Sequence, residues 1–301
     1  MKIPTIQIQL PILDEKQIKL FVKREDTIHP QISGNKYRKL KYNLQKASSL
    51  GHTTLLTYGG AFSNHIAATA YAGHTFGFKT VGVIRGDELA NSYEKNPTLK
   101  LAKAHGMQFE FVSRALFRTK TTVSFQTSLR SKFGHFYELP EGGTNHLAVK
   151  GCEEILTEDD TRFDVICSCV GTGGTLAGLI NSKAKSQQVL GFPVLKGDFL
   201  SDDIRKFAKN DDWRLISEYH FGGYAKVSAE LVHFINDFKD NTGIQIEPVY
   251  TGKLFFGLLD VIAKDGFKPG TKILAIHSGG LQGIAGMNEL LKKKNLPLLN
   301  V

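Results

Sequence analysis

Several residues able to do chemistry stand where glycine-rich turns meet helical patterns. In Ser33-Gly34-Asn35-Lys36-Tyr37-Arg38-Lys39-Leu40 the apolar positions Tyr37, Leu40, Leu44 and Ala47 keep helical spacing. A helix is therefore predicted to start near Ser33 to Lys36. Lys36 then lies in its first turn, where the positive helix pole disfavours an ammonium. Arg38, Lys39 and Lys41 add like charge. Both effects lower the pKa of Lys36 and free its amine as a nucleophile. Read alone, the segment is a basic helix facing solvent.

Gly59-Gly60-Ala61-Phe62-Ser63-Asn64-His65 follows an apolar run and puts Ser63 at an N-cap position. Free N–H groups at that helix start suit an anion such as a carboxylate. Plain capping satisfies the same pattern, and His65 reads as structural. Gly171-Thr172-Gly173-Gly174-Thr175 stands between an apolar strand and a helix. Its glycines let backbone N–H groups close on a phosphate, with a tight turn as the alternative. It is not a Walker A loop, because no Gly-Lys-Ser/Thr follows. It also misses the dinucleotide fingerprint, because Leu176 stands where the third glycine belongs. Two later segments, Glu247-Pro248-Val249-Tyr250-Thr251-Gly252-Lys253 and His277-Ser278-Gly279-Gly280, are weak by themselves. Tyr250 is a ring-stacking or acid–base candidate there, or an ordinary half-buried tyrosine.

The elements that must position these residues alternate. Short β-type runs (Leu55 to Tyr58, Thr80 to Ile84, Phe109 to Val112, Phe163 to Cys167, Lys272 to Ile276) lead into turns and then into helical patterns. Strand, loop, helix, repeated, predicts an α/β architecture with largely parallel sheets. In such folds ligands sit beyond the carboxyl ends of strands, where the glycine-rich loops fall. No Pro/Gly/Ser linker marks a domain boundary.

The chain has 301 residues, 41% hydrophobic and 22% charged, which excludes a disordered chain and allows one large or two modest domains. No apolar stretch approaches the roughly 18 residues of a membrane span. The first ten residues lack an apolar block of signal-peptide length, so the expected location is the cytoplasm. Cys152, Cys167 and Cys169 are too few for a disulfide framework. Cys167 and Cys169 would share one face of a strand as buried small hydrophobes. No cluster has metal-ligand spacing. The net charge of +9 suits nucleic acid or an anionic small molecule. Its densest run, Lys292-Lys293-Lys294, reads as a solvated helix end, and no zinc-finger or RNA-recognition signature is present.

Taken together, SGNKYRKL, GGAFSNH, EGGTN (Glu141 to Asn145), GTGGT, EPVYTGK and HSGG occur in one order over most of the chain. In that combination the sequence resembles the 1-aminocyclopropane-1-carboxylate deaminase / D-cysteine desulfhydrase family of fold-type-II pyridoxal 5′-phosphate enzymes. The resemblance implies two open twisted sheets flanked by helices, similar to the tryptophan synthase β fold. A small α/β domain at 47–140 would be inserted into a large cofactor-binding domain formed by 1–46 and 141–301. It implies a homodimer acting on a small amino acid, with no nucleic-acid or membrane partner.

By the same resemblance Lys36 holds the cofactor covalently and Asn64 bonds its ring hydroxyl. Ser63 meets the substrate carboxylate or assists at the reacting carbon. Gly171, Thr172, Gly173, Gly174 and Thr175 hold the phosphate, with Lys39 facing it. Tyr250 and Tyr224 are the active-site tyrosines, and Ser278 is the partner of the pyridine nitrogen. A hydroxyl there does not force a proton onto the ring, which favours prompt loss of a β leaving group. Deaminases of the family resemble one another in carrying Glu after the second-site tyrosine and Leu in the His-x-Gly-Gly loop. Here Thr251 and Ser278 stand there, as on the desulfhydrase side.

The expected reaction is β-elimination of D-cysteine to pyruvate, sulfide and ammonia. Lys36 takes the α-proton, and Tyr250 steers or protonates the leaving group. The alternatives are deamination of 1-aminocyclopropane-1-carboxylate to α-ketobutyrate and, from another class, a non-catalytic phosphate- or nucleic-acid-binding protein.

Overall fold

The alternating texture folds, in a computed structural model describing residues 2–301, into two separate sheets. The larger has the order β1 (Thr5–Gln7), β2 (Lys19–Lys23), β10 (Lys272–Ile276), β7 (Val165–Val170), β8 (Gln188–Pro193), β9 (Trp213–Leu215). β1 is antiparallel to β2, and the other pairs are parallel. The smaller sheet is wholly parallel, in the order β5 (Gln108–Val112), β4 (Lys79–Arg85), β3 (Thr54–Gly59), β6 (Tyr137–Leu139). Its residues lie in the chain between β2 and β7.

Parallel strands covered by helices on both faces must be apolar throughout. β7 meets that condition, with all six positions buried. Val165, Cys167 and Cys169 join the core that includes Leu190, Leu254 and Phe255. Ile166 and Val170 join a second core with Leu176, Leu179 and Leu274 on the opposite face. The shared face expected for Cys167 and Cys169 is thus present, and all three thiols are free and buried. β7 starts at Val165, two residues later than its apolar run suggests. Phe163 instead packs against Phe21, with ring centroids 5.0 Å apart.

The Lys36 helix spans Asn35–Ser49 and buries Leu40 and Ala47 on the face read from their spacing. The Ser63 helix spans Asn64–Phe76, with Ser63 as N-cap accepting from the Ile66 N–H. A helix at Gly174–Ser182 follows β7, one at Thr251–Ala263 follows the Tyr250 segment, and one at Gly283–Lys293 follows β10. The last ends on Lys292 and Lys293, at the pole where cations are favoured. No helix among the described residues is long and apolar enough to cross a membrane.

Candidate active site

The carboxyl ends of β3, β4 and β6 of one sheet and of β7 and β8 of the other converge on a cleft. Its inner part is a cavity of about 40 Å³ lined by Lys36, Lys39, Gly142, Thr172, Thr175 and Tyr250 among others. Its outer part, about 150 Å³, shares Gly142, Gly171, Thr172 and Tyr250 with the first and adds Ser63, Tyr224 and Arg85. Cavities of about 680 and 900 Å³ lie elsewhere, behind the Lys36 helix and beside the N-terminal strand. Volume does not choose between them; the chemistry does.

Lys36 enters the cleft because the chain turns sharply before it. Gly34 has φ +60°, and a Cβ on it would lie 1.8 Å from the Ser278 carbonyl oxygen. Only glycine fits there, so the helix start packs directly on the loop after β10. The Asn35 N–H donates to that carbonyl at 3.1 Å. The Lys36 chain keeps some contact with solvent along the cavity, but its amine is enclosed by protein and donates to the Gly142 carbonyl at 3.2 Å. Burial, and then the charge of Lys39, hold its pKa well below the ordinary lysine value. The direction is the one expected from sequence, but burial leads. Arg38 and Lys41 contribute little because each is tied elsewhere, Arg38 to Glu25 at 2.9 Å and Lys41 to Glu154 at 2.7 Å.

The turn after β7 is a second device. Gly173 has φ +80°, and a Cβ there would meet Ile204 at 2.8 Å. Gly173 caps the Gly174–Ser182 helix in a left-handed conformation. Among the described residues nothing accepts from the N–H groups of Gly173, Gly174 and Thr175. Such orphaned helix-start donors beside a cavity are an anion site once hydroxyls and a cation join them. Here the Asn35 amide donates to the Thr175 hydroxyl at 2.8 Å, and the Thr144 and Thr172 hydroxyls are 2.6 Å apart. Lys39 donates to the Thr144 hydroxyl at 3.0 Å and to the Gly142 carbonyl at 3.1 Å. Burial alone lowers the pKa of Lys39, as expected of a cation held without a counter-charge.

Tyr250 and Tyr224 meet edge to face, with ring centroids 6.1 Å apart. Burial raises the pKa of both phenols, that of Tyr250 far more, with Tyr224 and Glu247 adding to it. Both are proton donors at neutral pH. Glu247 fixes the Tyr250 segment. Its buried carboxylate accepts from the N–H groups of Val249, Tyr250 and Thr251 at 2.7–2.8 Å, capping the helix that follows. Thr251 is fully buried and spends its hydroxyl on the Glu247 N–H at 2.9 Å, so its side chain belongs to this cap.

Asn64, Gly174 and Ser278 do not line either cavity. Ser278 lies behind Cys169, its hydroxyl 3.2 Å from the thiol, and Cys169 itself lines the inner cavity. Asn64 accepts from Gln282 at 3.0 Å. His65 is buried against Gly143, and neither ring nitrogen has a hydrogen-bond partner among the described residues. Burial, with Lys36 and Lys39 nearby, keeps it neutral.

Asn35, Thr144 and Glu247 stand within the sequence motifs, which assign them no role, and Gln282 and Arg85 stand outside every motif. The partners of Asn35 and Gln282 lie 140 and 218 residues away, and no local signal carries those contacts. Among the described residues no group of His, Cys, Asp and Glu could hold a metal ion.

Comparison with known proteins gives a consistent answer. The family model described as pyridoxal-phosphate dependent enzyme matches residues 2–279. The chain is 30% identical over 292 residues to the bifunctional D-cysteine desulfhydrase/1-aminocyclopropane-1-carboxylate deaminase of Arabidopsis thaliana, covering 88% of this chain and 73% of that one. It is 27% identical over 302 residues to a D-cysteine desulfhydrase of Klebsiella pneumoniae, covering 92% of each. A crystal structure described as an ACC deaminase homologue superposes with a TM-score of 0.83 at 28% identity, covering 97% of this chain and 94% of its own.

Proposed function

This chain belongs to the family of pyridoxal-phosphate-dependent enzymes, and from that premise we propose that it eliminates the β-substituent of a small D-amino acid. D-Cysteine plus one water gives pyruvate, hydrogen sulfide and ammonia. The observation that carries the reading is one cleft holding an amine whose pKa burial holds well below the ordinary lysine value, three orphaned N–H donors and two protonated phenols.

The residues fit the cofactor. The N–H groups of Gly173, Gly174 and Thr175, with the Thr172 and Thr175 hydroxyls, take its phosphate, and Lys39 supplies the counter-charge. Lys36 binds it covalently through Nζ. Asn64 and Ser278, which stand outside the lining of the two cavities, would meet its ring hydroxyl and its ring nitrogen. When bound, the cofactor supplies an electron sink that stabilises negative charge at the substrate α-carbon.

The protein does the rest. Ser63 and the helix start it caps receive the substrate carboxylate. Lys36 Nζ, more readily deprotonated than an ordinary lysine because burial and Lys39 lower its pKa, accepts the α-proton. Tyr250 Oη, its pKa raised by burial, donates a proton to the departing sulfur while Tyr224 holds the ring in place. The reading includes a cytoplasmic homodimer with 47–140 as an inserted lobe. The three buried free thiols suit a reducing compartment.

The test is a titration of the holoenzyme with D-cysteine and, separately, L-cysteine, followed by absorption and by release of sulfide and pyruvate. Perturbation and product with D-cysteine alone are expected. A band that neither isomer moves, with α-ketobutyrate formed from 1-aminocyclopropane-1-carboxylate, would replace the elimination by the ring-opening deamination.

A further inference from the structure

Arg85, at the carboxyl end of β4, is the one cation among the described residues that lines both the outer cavity of the cleft and a second chamber beside it. That chamber, about 610 Å³, shares Gly60, Arg85 and Glu141 with the 150 Å³ cavity, so the two adjoin along these residues. The Arg85 guanidinium rests over the Phe117 ring at 5.7 Å, and its Nη2 lies 3.5 Å from where a Gly60 Cβ would stand. It is pinned against the turn that leads to Ser63.

The charges in the chamber do not cancel. Arg114 is paired with Glu88 at 2.9 Å, and Lys120 with Glu141 at 3.1 Å. Arg85 and Arg118 also line it, and neither has a carboxylate partner among the described residues. The surplus is two positive charges, one of them at the neck leading to Tyr224 and Tyr250. D-Cysteine does not use this surplus. The elimination reading gives its carboxylate to the Ser63 helix start, and its side chain carries no second anion.

We propose that the chamber is a subsite for an anionic arm on the β-substituent of the substrate, with Arg85 as the residue that selects it. The inference rests on the elimination reading above and narrows it. The substrate class is a D-amino acid whose leaving group is a thiol bearing a carboxylate or a comparable anion. Overall, the Cβ–S bond breaks and one water is consumed. Pyruvate, ammonium and the free anionic thiol are released, with net charge conserved. The guanidinium fork offers paired donors to a planar carboxylate, which a neutral amide of the same shape matches only in part.

The experiment uses the holoenzyme and two near-isosteric ligands, S-carboxymethyl-D-cysteine and S-carbamoylmethyl-D-cysteine. Dissociation constants are read from the cofactor absorption band, and thiol release is read in parallel. The carboxylate should bind about tenfold more tightly, the discrimination of one partly solvated charge-assisted hydrogen bond. Arg85→Gln should bring the ratio to about one, and Arg85→Lys should keep part of it. Equal affinities in the unmodified protein, a ratio that survives Arg85→Gln, or a band moved by neither ligand overturns the inference. D-Cysteine, run alongside, separates the two ideas. Sulfide from D-cysteine without discrimination between the analogues sinks only the anionic-arm subsite, whereas no product from D-cysteine sinks the elimination itself.

Discussion

Lys253 is a buried cation that lines neither cavity of the cleft, and replacing it by methionine tests how Tyr224 and Tyr250 are held. Its ammonium is buried and donates to the carbonyls of His220 and Gly223 at 2.8 and 2.7 Å. The loop it grips carries Tyr224 and keeps Phe221 and Ala225 at positive φ, which costs a non-glycine residue about 1–2 kcal/mol. Burial brings the lysine pKa from 10.5 down to about 8, with Glu247 opposing. The unfolded chain therefore holds the proton more tightly than the folded one. The cost is fully present below pH 8 and disappears as pH rises towards 10.5. At about 1.4 kcal/mol per pH unit it amounts to about 3 kcal/mol at pH 7. Lys253→Met removes this cost but orphans two carbonyls, at about 2 kcal/mol each. The variant should be less stable by about 1 kcal/mol at pH 7 and by about 3 kcal/mol at pH 10. Urea unfolding of both proteins at the two pH values, followed by the fluorescence of Trp213, the only tryptophan of the chain, measures the difference. A stability gap that stays constant with pH, or shrinks, refutes the reasoning.

Lys36→Ala should abolish both turnover and the absorption band of the lysine-bound cofactor; retention of wild-type activity would remove Lys36 from its role. Gly173→Ala forces a side chain into φ +80° and against Ile204, so cofactor affinity should fall by about tenfold, measured by fluorescence titration. The thiols of Cys152, Cys167 and Cys169 should be silent to a disulfide reagent in the folded protein at pH 8 and react on unfolding. All three are buried, and burial pushes the Cys169 thiol up to about 12. Rapid labelling of the folded protein would contradict that. Cys169→Ala should leave the protein folded but shift the cofactor band by releasing the Ser278 hydroxyl; an identical spectrum would mean that Ser278 does not face the ring nitrogen.

Legibility in the sequence followed the range of the interactions. The Lys36 helix was readable because Tyr37, Leu40, Leu44 and Ala47 repeat within it, and the glycine turns were readable because their conformations demand glycine at particular places. β8 was not read. Gln188–Pro193 has Gly191 in its middle and no motif after it, although five of its six residues are buried. The leading cause of the low Lys36 pKa was also invisible, because like charge along a helix can be counted whereas enclosure by Gly142, Tyr250 and the β7 turn cannot. The cap that Glu247 builds is local, yet a carboxylate accepting three backbone N–H groups looks in sequence like any glutamate before a proline. The Asn35–Thr175 bond, across 140 residues, lies beyond any periodicity argument.

The strand order of the larger sheet also bears on how the chain is made. β10 sits between β2 and β7, pairing Lys272–Ile276 with Lys19–Lys23 on one side and Ile273–Ala275 with Val165–Cys167 on the other. During synthesis from the N-terminus, β2 has no parallel neighbour until the last strand has left the ribosome. The smaller sheet has all its strands by residue 139 and has no such wait. Between the emergence of β6 and that of β10, nascent chains should therefore carry one formed sheet and one open one, with the apolar edges of β2 and β7 exposed and in need of a chaperone's cover. The last strand to be translated both closes that sheet and delivers the Ser278 loop onto Gly34. A ribosome-bound chain stalled before residue 272 thus lacks the contact that fixes the start of the Lys36 helix.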